Sequence, residues 1–159
     1  HNFIPMTIGA NGVKVYQQLP YANILNLSLS STFRFTKSLQ IAGKMVYRKG
    51  NYQSLNLPQI QPISYGSTIR YQHKNFIAEC AVEGALKHTN FSPTFGETGT
   101  DDYTILNLSA SKQIKIFNQT VQIKTGFENL FDRYYSTFAD WNKIPRNGRN
   151  FFINVVYNF

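Results

Sequence analysis

Acidic and basic side chains recur at a regular spacing in one segment of the chain. Glu79, Glu83 and Lys87 stand four residues apart. Paired carboxylates are typical of general acid–base catalysis, but no histidine or nucleophilic side chain stands at a suitable spacing beside them. We therefore expect no enzymatic activity. Ala, Glu and Leu in this segment favour a helix, whereas the alternating segments on both sides favour a strand.

Metal-binding side chains are sparse. The three histidines are far apart in the sequence, and the single cysteine, Cys80, has no partner at metal-ligand spacing. Met6 and Met45 are copper-type ligands, but isolated methionines usually fill space. Glu97 and the Asp101-Asp102 pair fall in a polar stretch that predicts a solvated loop. The sequence therefore predicts no metal centre and no cofactor.

The composition excludes several classes of protein. The chain has 159 residues and a net charge of +8, with 15% aromatic and 15% charged residues, against about 25% charged in globular domains. The basic residues form no run, so no nucleic-acid partner is expected. No stretch of about 18 apolar residues exists for a transmembrane helix. Any membrane-spanning structure must therefore be a barrel of strands.

Alternation of apolar and polar residues with a period of two is the strongest pattern in the chain. It identifies strands, because successive strand side chains point to opposite faces. Residues 76–87 are included because a lone helix would break the meander. A strand over residues 3–8 is less clear. Residues 13–19 would begin the next strand, interrupted by a bulge or bend expected near Pro20, which cannot donate to a ladder. The predicted strands cover residues 3–8, 13–19 continuing into 25–35, 39–48, 63–72, 76–87, 104–111, 121–128 and 151–159.

Short and long connections alternate along the chain. Short turns are expected near residues 37, 74 and 118, and long ones near 55, 95 and 140, the first being a polar connection from Lys49 to Gln61. One rim would therefore carry tight turns and the other long loops, as in outer-membrane barrels. A strand from Gly148 to Phe159, tilted by about 45°, would rise about 28 Å, close to a hydrocarbon thickness of about 30 Å. The predicted fold is all-β, an antiparallel up-and-down meander of about eight long strands within a transmembrane β-barrel.

The last third of the chain resembles TonB-dependent receptors. Residues 126–135 are closely similar to their ENLFDxxY signature, and residues 103–110 and 154–159 to their late strands and aromatic ending. Residues 57–62 and 15–22 resemble earlier motifs more loosely. Asn26, Ser28 and Asn147 depart from the usual pattern. The residues that match the signature and the segment opening the last strand are Glu128, Asn129, Leu130, Phe131, Asp132, Tyr135, Pro145, Gly148 and Arg149.

The resemblance implies a fold, a location and a set of partners. It implies a 22-stranded barrel in the bacterial outer membrane, filled by a plug domain and driven by the TonB complex through that plug. Residues 1–159 would be the C-terminal portion of the barrel, without the plug. The implied activity is energy-coupled uptake of a scarce nutrient, such as an iron chelate, another metal or a cofactor. The other implied partners are outer-membrane lipid and the barrel-assembly machinery.

Two groups of residues receive roles from these patterns. Val155, Tyr157 and Phe159 share the outward face of the last strand, and they resemble the signal read by the barrel-assembly machinery; lipid-facing girdle aromatics are the alternative. The other group would line the lumen if all polar faces point inward. Its members are Arg48, Arg70, Glu79, Glu83, Lys87 and Lys124.

Alternation alone does not say which face is inside, so other architectures stay open. One is a soluble lipocalin-like barrel that holds an apolar ligand. Another is a small outer-membrane barrel in which the eight strands close on themselves, a size that side chains can fill. As part of a larger barrel, the sheet would instead have two open edges.

Overall fold

The computed structural model describes residues 6–8, 13–16, 18–116 and 119–158. Within them the chain forms strands and two short 3₁₀ turns, at Pro93–Phe95 and Trp141–Lys143. No helix among the described residues is long and apolar enough to cross a bilayer. The strands are β1 (Met6–Ile8), β2 (Lys14–Tyr16), β3 (Asn23–Arg34), β4 (Leu39–Tyr52), β5 (Leu55–Asn56), β6 (Ser64–His73), β7 (Phe76–Ala85), β8 (Tyr103–Ile116), β9 (Gln119–Glu128) and β10 (Asn150–Asn158).

The long strands form one antiparallel sheet in chain order. The sheet has eight strands in the order β10-β9-β8-β7-β6-β4-β3, with the short β5 pairing beside β4. Each long strand therefore pairs with the long strand next to it in the sequence. The predicted all-β antiparallel meander is thereby confirmed. The two N-terminal strands differ from the prediction, since β1 and β2 are three residues each and pair in a separate sheet.

The long strands are longer than those of ordinary globular domains. β4 and β8 have 14 residues each and β3 has 12, whereas a typical strand has about 5 or 6. At about 3.3 Å per residue, such strands extend about 40 to 46 Å. Tilted by about 45°, they rise roughly 28 to 33 Å, which matches the hydrocarbon thickness of about 30 Å.

The connections are unequal at the two ends of the sheet. At one end, residues 35–38 and 74–75 join successive strands, and β8 ends at Ile116 close to the start of β9 at Gln119; we call this end the short-turn rim. At the other end, residues 57–63, 86–102 and 129–149 form three long connections; we call this end the long-loop rim. The asymmetry matches the predicted alternation of connection lengths.

Segment 76–87, whose residue types also suit a helix, is a strand over Phe76–Ala85. It hydrogen-bonds along its full length to β6 on one side and to β8 on the other. Two complete ladders satisfy its backbone N–H and C=O groups, which a helix at this place would withdraw from both neighbours. Tertiary pairing therefore outweighs the helix propensity of its alanines and glutamates.

The predicted connection from Lys49 to Gln61 is wrong in its first part. β4 continues through Tyr52 because Asn51 still pairs with Asn23 of β3, and β5 then folds back onto β4. Gly50 permits this arrangement. A side chain built there would have its Cβ 2.7 Å from Ile60 Cδ1, so the loop packs directly on the glycine.

The register separates the side chains into two faces. Directly opposed residues share a face, so Arg70 lies beside Glu79 and Ile69 beside Cys80. The apolar face is open to the surroundings: Leu29 on β3 and Val155 on β10 are 73% and 63% exposed. We call the face with Ile69 the apolar face and the face with Arg70 the polar face.

The sheet is open among the described strands. Its order ends at β10 on one side and at β3 on the other, and no described strand joins them. Every residue of β3 is exposed. A cluster of buried apolar residues lies at the long-loop rim, where Leu19, Leu57 and Phe95 pack together. This small core binds the loops to each other rather than filling a barrel.

Gly126 on β9 is a test of the close packing between the strands. A Cβ at this position would overlap the Leu108 carbonyl oxygen of β8 and lie 2.9 Å from the Phe152 ring. Gly126→Ala should therefore destabilise the fold by about 1 to 3 kcal/mol, as overpacking does. The measurement is thermal unfolding in detergent micelles by circular dichroism.

Gly43 on β4 is the matched control, since its added Cβ would have the Gly66 carbonyl oxygen as its nearest contact, at 3.9 Å. Gly43→Ala should leave the midpoint unchanged or raise it slightly. Equal midpoints for the two variants would contradict the packing described here.

Candidate functional site

A cluster of charged side chains occupies the polar face of the sheet. Arg70 Nη1 lies 2.6 Å from Glu79 Oε1, and Lys124 Nζ lies 4.0 Å from the other Glu79 oxygen. The three side chains come from β6, β7 and β9, and the small Ser109 of β8 lies beside Glu79 in the register. Because two cations surround one carboxylate, this cluster on the polar face carries a net positive charge.

Glu83 connects the polar face to the long-loop rim. It accepts a hydrogen bond from Asn107 Nδ2 of β8 at 3.1 Å. The Asn107 side-chain oxygen in turn accepts the backbone N–H of Asn129 at 2.9 Å. The Asn107 side chain therefore joins the Glu83 carboxylate of the polar face to Asn129, the first residue after β9.

Arg48 lies on the same face but is held by neutral groups. Its Nε donates to Asn26 Oδ1 at 3.1 Å, and its Nη1 donates to Gln61 Oε1 at 3.2 Å. Gln61 donates onward to Ser64 Oγ at 2.9 Å. These hydrogen bonds fix the Arg48 guanidinium between β3 and the β4–β6 connection.

The sequence predicted that Lys87 lies on the polar face of a strand, and this prediction is wrong. β7 ends at Ala85, and Lys87 follows in the connection, where its ammonium lies 3.3 Å from Asp101 Oδ1. Both side chains are largely exposed, so the pair contributes little stability. Beyond Ala85 the N–H of Leu86 donates to Ile63 O and the N–H of His88 donates to Thr100 O, within the long-loop rim.

Asn129, inside the signature segment, organises the long loop between β9 and β10. It is buried and has a left-handed φ of 48°, a conformation that asparagine tolerates better than most residues. Its Oδ1 accepts the N–H of Arg133, and its Nδ2 donates to the carbonyl oxygens of Arg133 and Asn147. The side chain thus ties both ends of the loop together.

Asp132 makes the second tie of this loop. Its Oδ1 accepts the N–H of Arg149 at 2.7 Å, immediately before β10. The same oxygen occupies the place where a Cβ at Gly148 would lie, so a larger residue there would displace the Asp132 carboxylate from this bond. The acidic residue and the glycine of the motif are therefore two halves of one contact.

The other residues of the signature are placed around this loop. Leu130 donates its N–H to Leu106 O, and Glu128 accepts from Asn150 Nδ2. Tyr135 stacks on Tyr103 with ring centroids 4.5 Å apart. Phe131 and Pro145 are exposed at the rim. No described contact of these side chains points to a catalytic group.

Asp140 and Arg146 form a close ion pair within the same loop, with 2.6 Å between Nη2 and Oδ1. Burial raises the pKa of Asp140, but hydrogen bonds from Arg146 and from the N–H and hydroxyl of Thr137 outweigh it. The pKa of the carboxyl is therefore below its ordinary value. Sequence reasoning missed this pair because five loop residues separate its members without any periodic pattern.

Glu97 joins two long connections at the long-loop rim. The sequence had predicted that it would lie in a solvated loop. Its carboxylate accepts the N–H of Gln59 and, at 3.0 Å, that of Ser92. The other predicted polar pair behaves differently, because Asp101 and Asp102 are exposed. Glu97 therefore has a structural role that composition alone did not indicate.

His88 is the most unusual polar group of this rim. It is 4% exposed, and neither ring nitrogen makes a hydrogen bond in the described structure. The ring lies edge-on to Phe91 and Phe138. Desolvation by burial lowers the pKa of His88 below its ordinary value, outweighing the opposing effects of the Glu97 carboxylate and of the Ile60 backbone.

The described residues contain no group of three or more His, Cys, Asp or Glu side chains that could hold a metal ion. Met45 lies exposed on the apolar face. Of the predicted assembly signal, Val155 and Tyr157 lie on the apolar face of β10 and are at least half exposed. Phe159 lies outside the described residues.

The fold is shared with a known transporter structure. The copper transporter OprC superposes with a TM-score of 0.87 and 18% sequence identity over 99% of this chain. The matched part is 26% of the OprC chain, so this chain spans about a quarter of that protein's length. No protein-family model and no curated protein matches the sequence. At this identity the likeness establishes the fold, a β-barrel segment.

Replacing Asn129 with leucine should loosen the loop after β9. The change leaves the N–H of Arg133 and two carbonyl oxygens without their partner, and each unsatisfied buried group costs about 1 to 3 kcal/mol. We expect a lower unfolding midpoint and faster proteolytic cleavage within residues 129–149. Asn90→Leu, at an exposed loop position, is the matched control and should resist cleavage as the parent does.

Acidification should open the loop cluster around His88. The pKa of His88 in the folded protein is lowered from 6.5, so below that pH the unfolded loop binds more protons than the folded loop does. The folded loop therefore has its full stability above about pH 6.5 and loses stability as the pH falls below it. Amide hydrogen exchange of residues 86–102, measured from pH 8 to pH 5 and corrected for intrinsic rates, should show this loss.

His88→Phe should abolish the pH dependence. A phenylalanine ring can take the same place, because the His88 ring packs against two phenylalanines and its nitrogens make no hydrogen bond within the described structure. His73→Phe, at an exposed position near the short-turn rim, is the control and should retain the parent's profile. A pH dependence that persists undiminished in the His88 variant would refute the assignment.

Proposed function

We propose that this chain forms part of the wall of an outer-membrane transporter of the TonB-dependent receptor type. The observation that carries the proposal is the separation of two faces on strands of membrane-spanning length. The apolar face suits contact with hydrocarbon, and the polar face bears the cluster of Arg70, Glu79 and Lys124. The resemblance at residues 126–135 and the fold shared with the copper transporter OprC support it.

The open edges favour a larger barrel over a small one. Unpaired backbone groups in lipid cost several kcal/mol each, so a membrane-spanning sheet must continue or close. Among the described strands β3 and β10 do not close on each other. Additional strands of a complete barrel would satisfy both edges. The energy-coupled TonB complex and a plug domain are partners that this proposal includes.

A soluble ligand-binding barrel fits the exposure of the side chains less well. Such a barrel would direct its apolar residues inward, around the ligand. Here the charged residues Arg70 and Glu79 form close pairs on one face, while Leu29 and Val155 on the other are mostly exposed. A lipid environment removes this large apolar surface from water, and an aqueous one does not.

Fractionation tests the membrane proposal. The polypeptide that contains this chain, produced in its bacterial host, should sediment with outer membranes, require detergent for extraction and migrate faster on gels when unheated. Recovery as a soluble monomer without detergent would exclude the proposal. A known periplasmic protein serves as the fractionation control.

The last strand provides a second test, because we propose that Val155, Tyr157 and Phe159 form the signal for barrel assembly. Deleting Phe159 or replacing Tyr157 with alanine should lower the amount of folded protein in the outer membrane several-fold. Val156→Ala changes the neighbouring residue on the polar face and should assemble normally. Unchanged insertion after deletion of Phe159 would argue against an assembly role.

The cargo is proposed at the level of a scarce nutrient, namely an iron chelate, another metal or a cofactor. The shared fold with a copper transporter makes copper the first ion to test. A strain lacking the gene should accumulate less of the cargo than the complemented strain, and removal of TonB should have the same effect. Equal accumulation in all strains for copper, ferric chelates and cobalamin would refute uptake of these nutrients.

A further inference from the structure

A shallow groove of about 450 Å³ crosses the apolar face between β6 and β10. Its floor is made by small side chains that the register places side by side on three neighbouring strands: Ala78, Ala110 and Thr125. Larger residues border it, with Tyr71 on the β6 side and Phe127 toward the long-loop rim. The groove results from truncated side chains between aromatic ones on an otherwise convex apolar surface.

The dimensions of the floor suit a single hydrocarbon chain. Neighbouring strands are about 4.8 Å apart, so three adjacent floor positions extend about 10 Å across the sheet. Most side chains on the groove surface are apolar; the hydroxyl groups are those of Tyr71 at the β6 border and of Thr125, which already donates to Phe152 O at 3.1 Å. So few polar groups favour an apolar ligand over a polar one.

A cation marks one end of the groove. Lys112 follows Ala110 on the same face of β8, between Phe76 of β7 and Ile123 of β9. It is exposed and forms no salt bridge with any of the described residues. From the apolar floor toward the short-turn rim, the groove therefore leads to the ammonium group of Lys112.

The charge of the whole short-turn rim points the same way. Residues 34–40, 72–77 and 112–122 contain five Lys or Arg residues and no Asp or Glu. Clusters of this kind attract anionic lipid headgroups. The five are Arg34, Lys37, Lys74, Lys112 and Lys115.

We propose that this groove binds one acyl chain of an anionic phospholipid in the leaflet at the short-turn rim, with the lipid phosphate against Lys112. The proposal rests on the membrane placement given under the proposed function. The site would hold a resident lipid rather than the transported cargo. Two independent observations select this occupant: an apolar depression of hydrocarbon width, and a rim on which every charged residue is basic.

Native mass spectrometry of the full-length protein, delipidated in detergent, tests the site. Dioleoyl-phosphatidylglycerol should bind at one site at least tenfold more tightly than dioleoyl-phosphatidylethanolamine. Ala110→Phe fills the floor and should weaken phosphatidylglycerol binding at least tenfold. Lys112→Gln should remove the preference for the anionic lipid.

Matched controls lie on the same surfaces. Leu29→Phe enlarges an exposed apolar side chain of β3, outside the groove, and Lys37→Gln removes a charge from the same rim. Both should bind phosphatidylglycerol as the parent does. Equal effects of Lys37→Gln and Lys112→Gln, or parental binding by Ala110→Phe, would overturn the site, as would equal affinities for the two lipids.

Cys80 keeps the test decisive if Ala110→Phe does not fold. It is the only cysteine of the chain and lines the groove, so phosphatidylglycerol should slow its alkylation by a maleimide in the parent protein, and unchanged alkylation would overturn the site. A protein that resides in the outer membrane without this protection refutes the lipid site alone. A protein in the soluble fraction refutes the proposed function itself.

Discussion

The register of the antiparallel ladders is the constraint on which the other features depend. Because side chains alternate between faces, a slip of one residue in any pair would move every apolar residue of that strand to the polar face. The observed register places Arg70 beside Glu79 and Ala78 beside Ala110. The charged cluster and the apolar groove are thus consequences of the same pairing, seen from opposite sides of one sheet.

The long-loop rim is held by a different kind of interaction. Its loops lack a regular backbone ladder, so side-chain to backbone hydrogen bonds hold them together with the small apolar cluster of Leu19, Leu57 and Phe95. Asn129 and Asp132 tie the ends of the β9–β10 loop, and Glu97 ties the β4–β6 and β7–β8 connections to each other. Each of these side chains satisfies backbone groups that would otherwise face water or remain unpaired.

The sequence predicted the sheet well because a period of two is a strong and repeated signal. It failed where local patterns stop carrying information. Lys87 continues the alternation of β7 in the sequence, but the strand ends at Ala85, and the next backbone bonds join Leu86 and His88 to other residues of the long-loop rim. Nothing in the sequence indicated that Asn107 contacts Glu83 and Asn129, since these contacts depend on which strands are neighbours. The signature residues were found by resemblance, but their role in closing a loop required coordinates.

The uneven distribution of charge between the rims has a consequence for orientation. With only basic charges at the short turns, and acidic and basic residues mixed at the long loops, the sheet carries an electric dipole along its strands, positive at the short turns. An anionic membrane surface distinguishes the two ends of such a dipole. At physiological salt the Debye length is about 8 Å, so the dipole acts only when the sheet is within about that distance of the membrane surface. For the membrane placement proposed above, this charge distribution would orient the chain at the membrane surface itself rather than guide it from a distance.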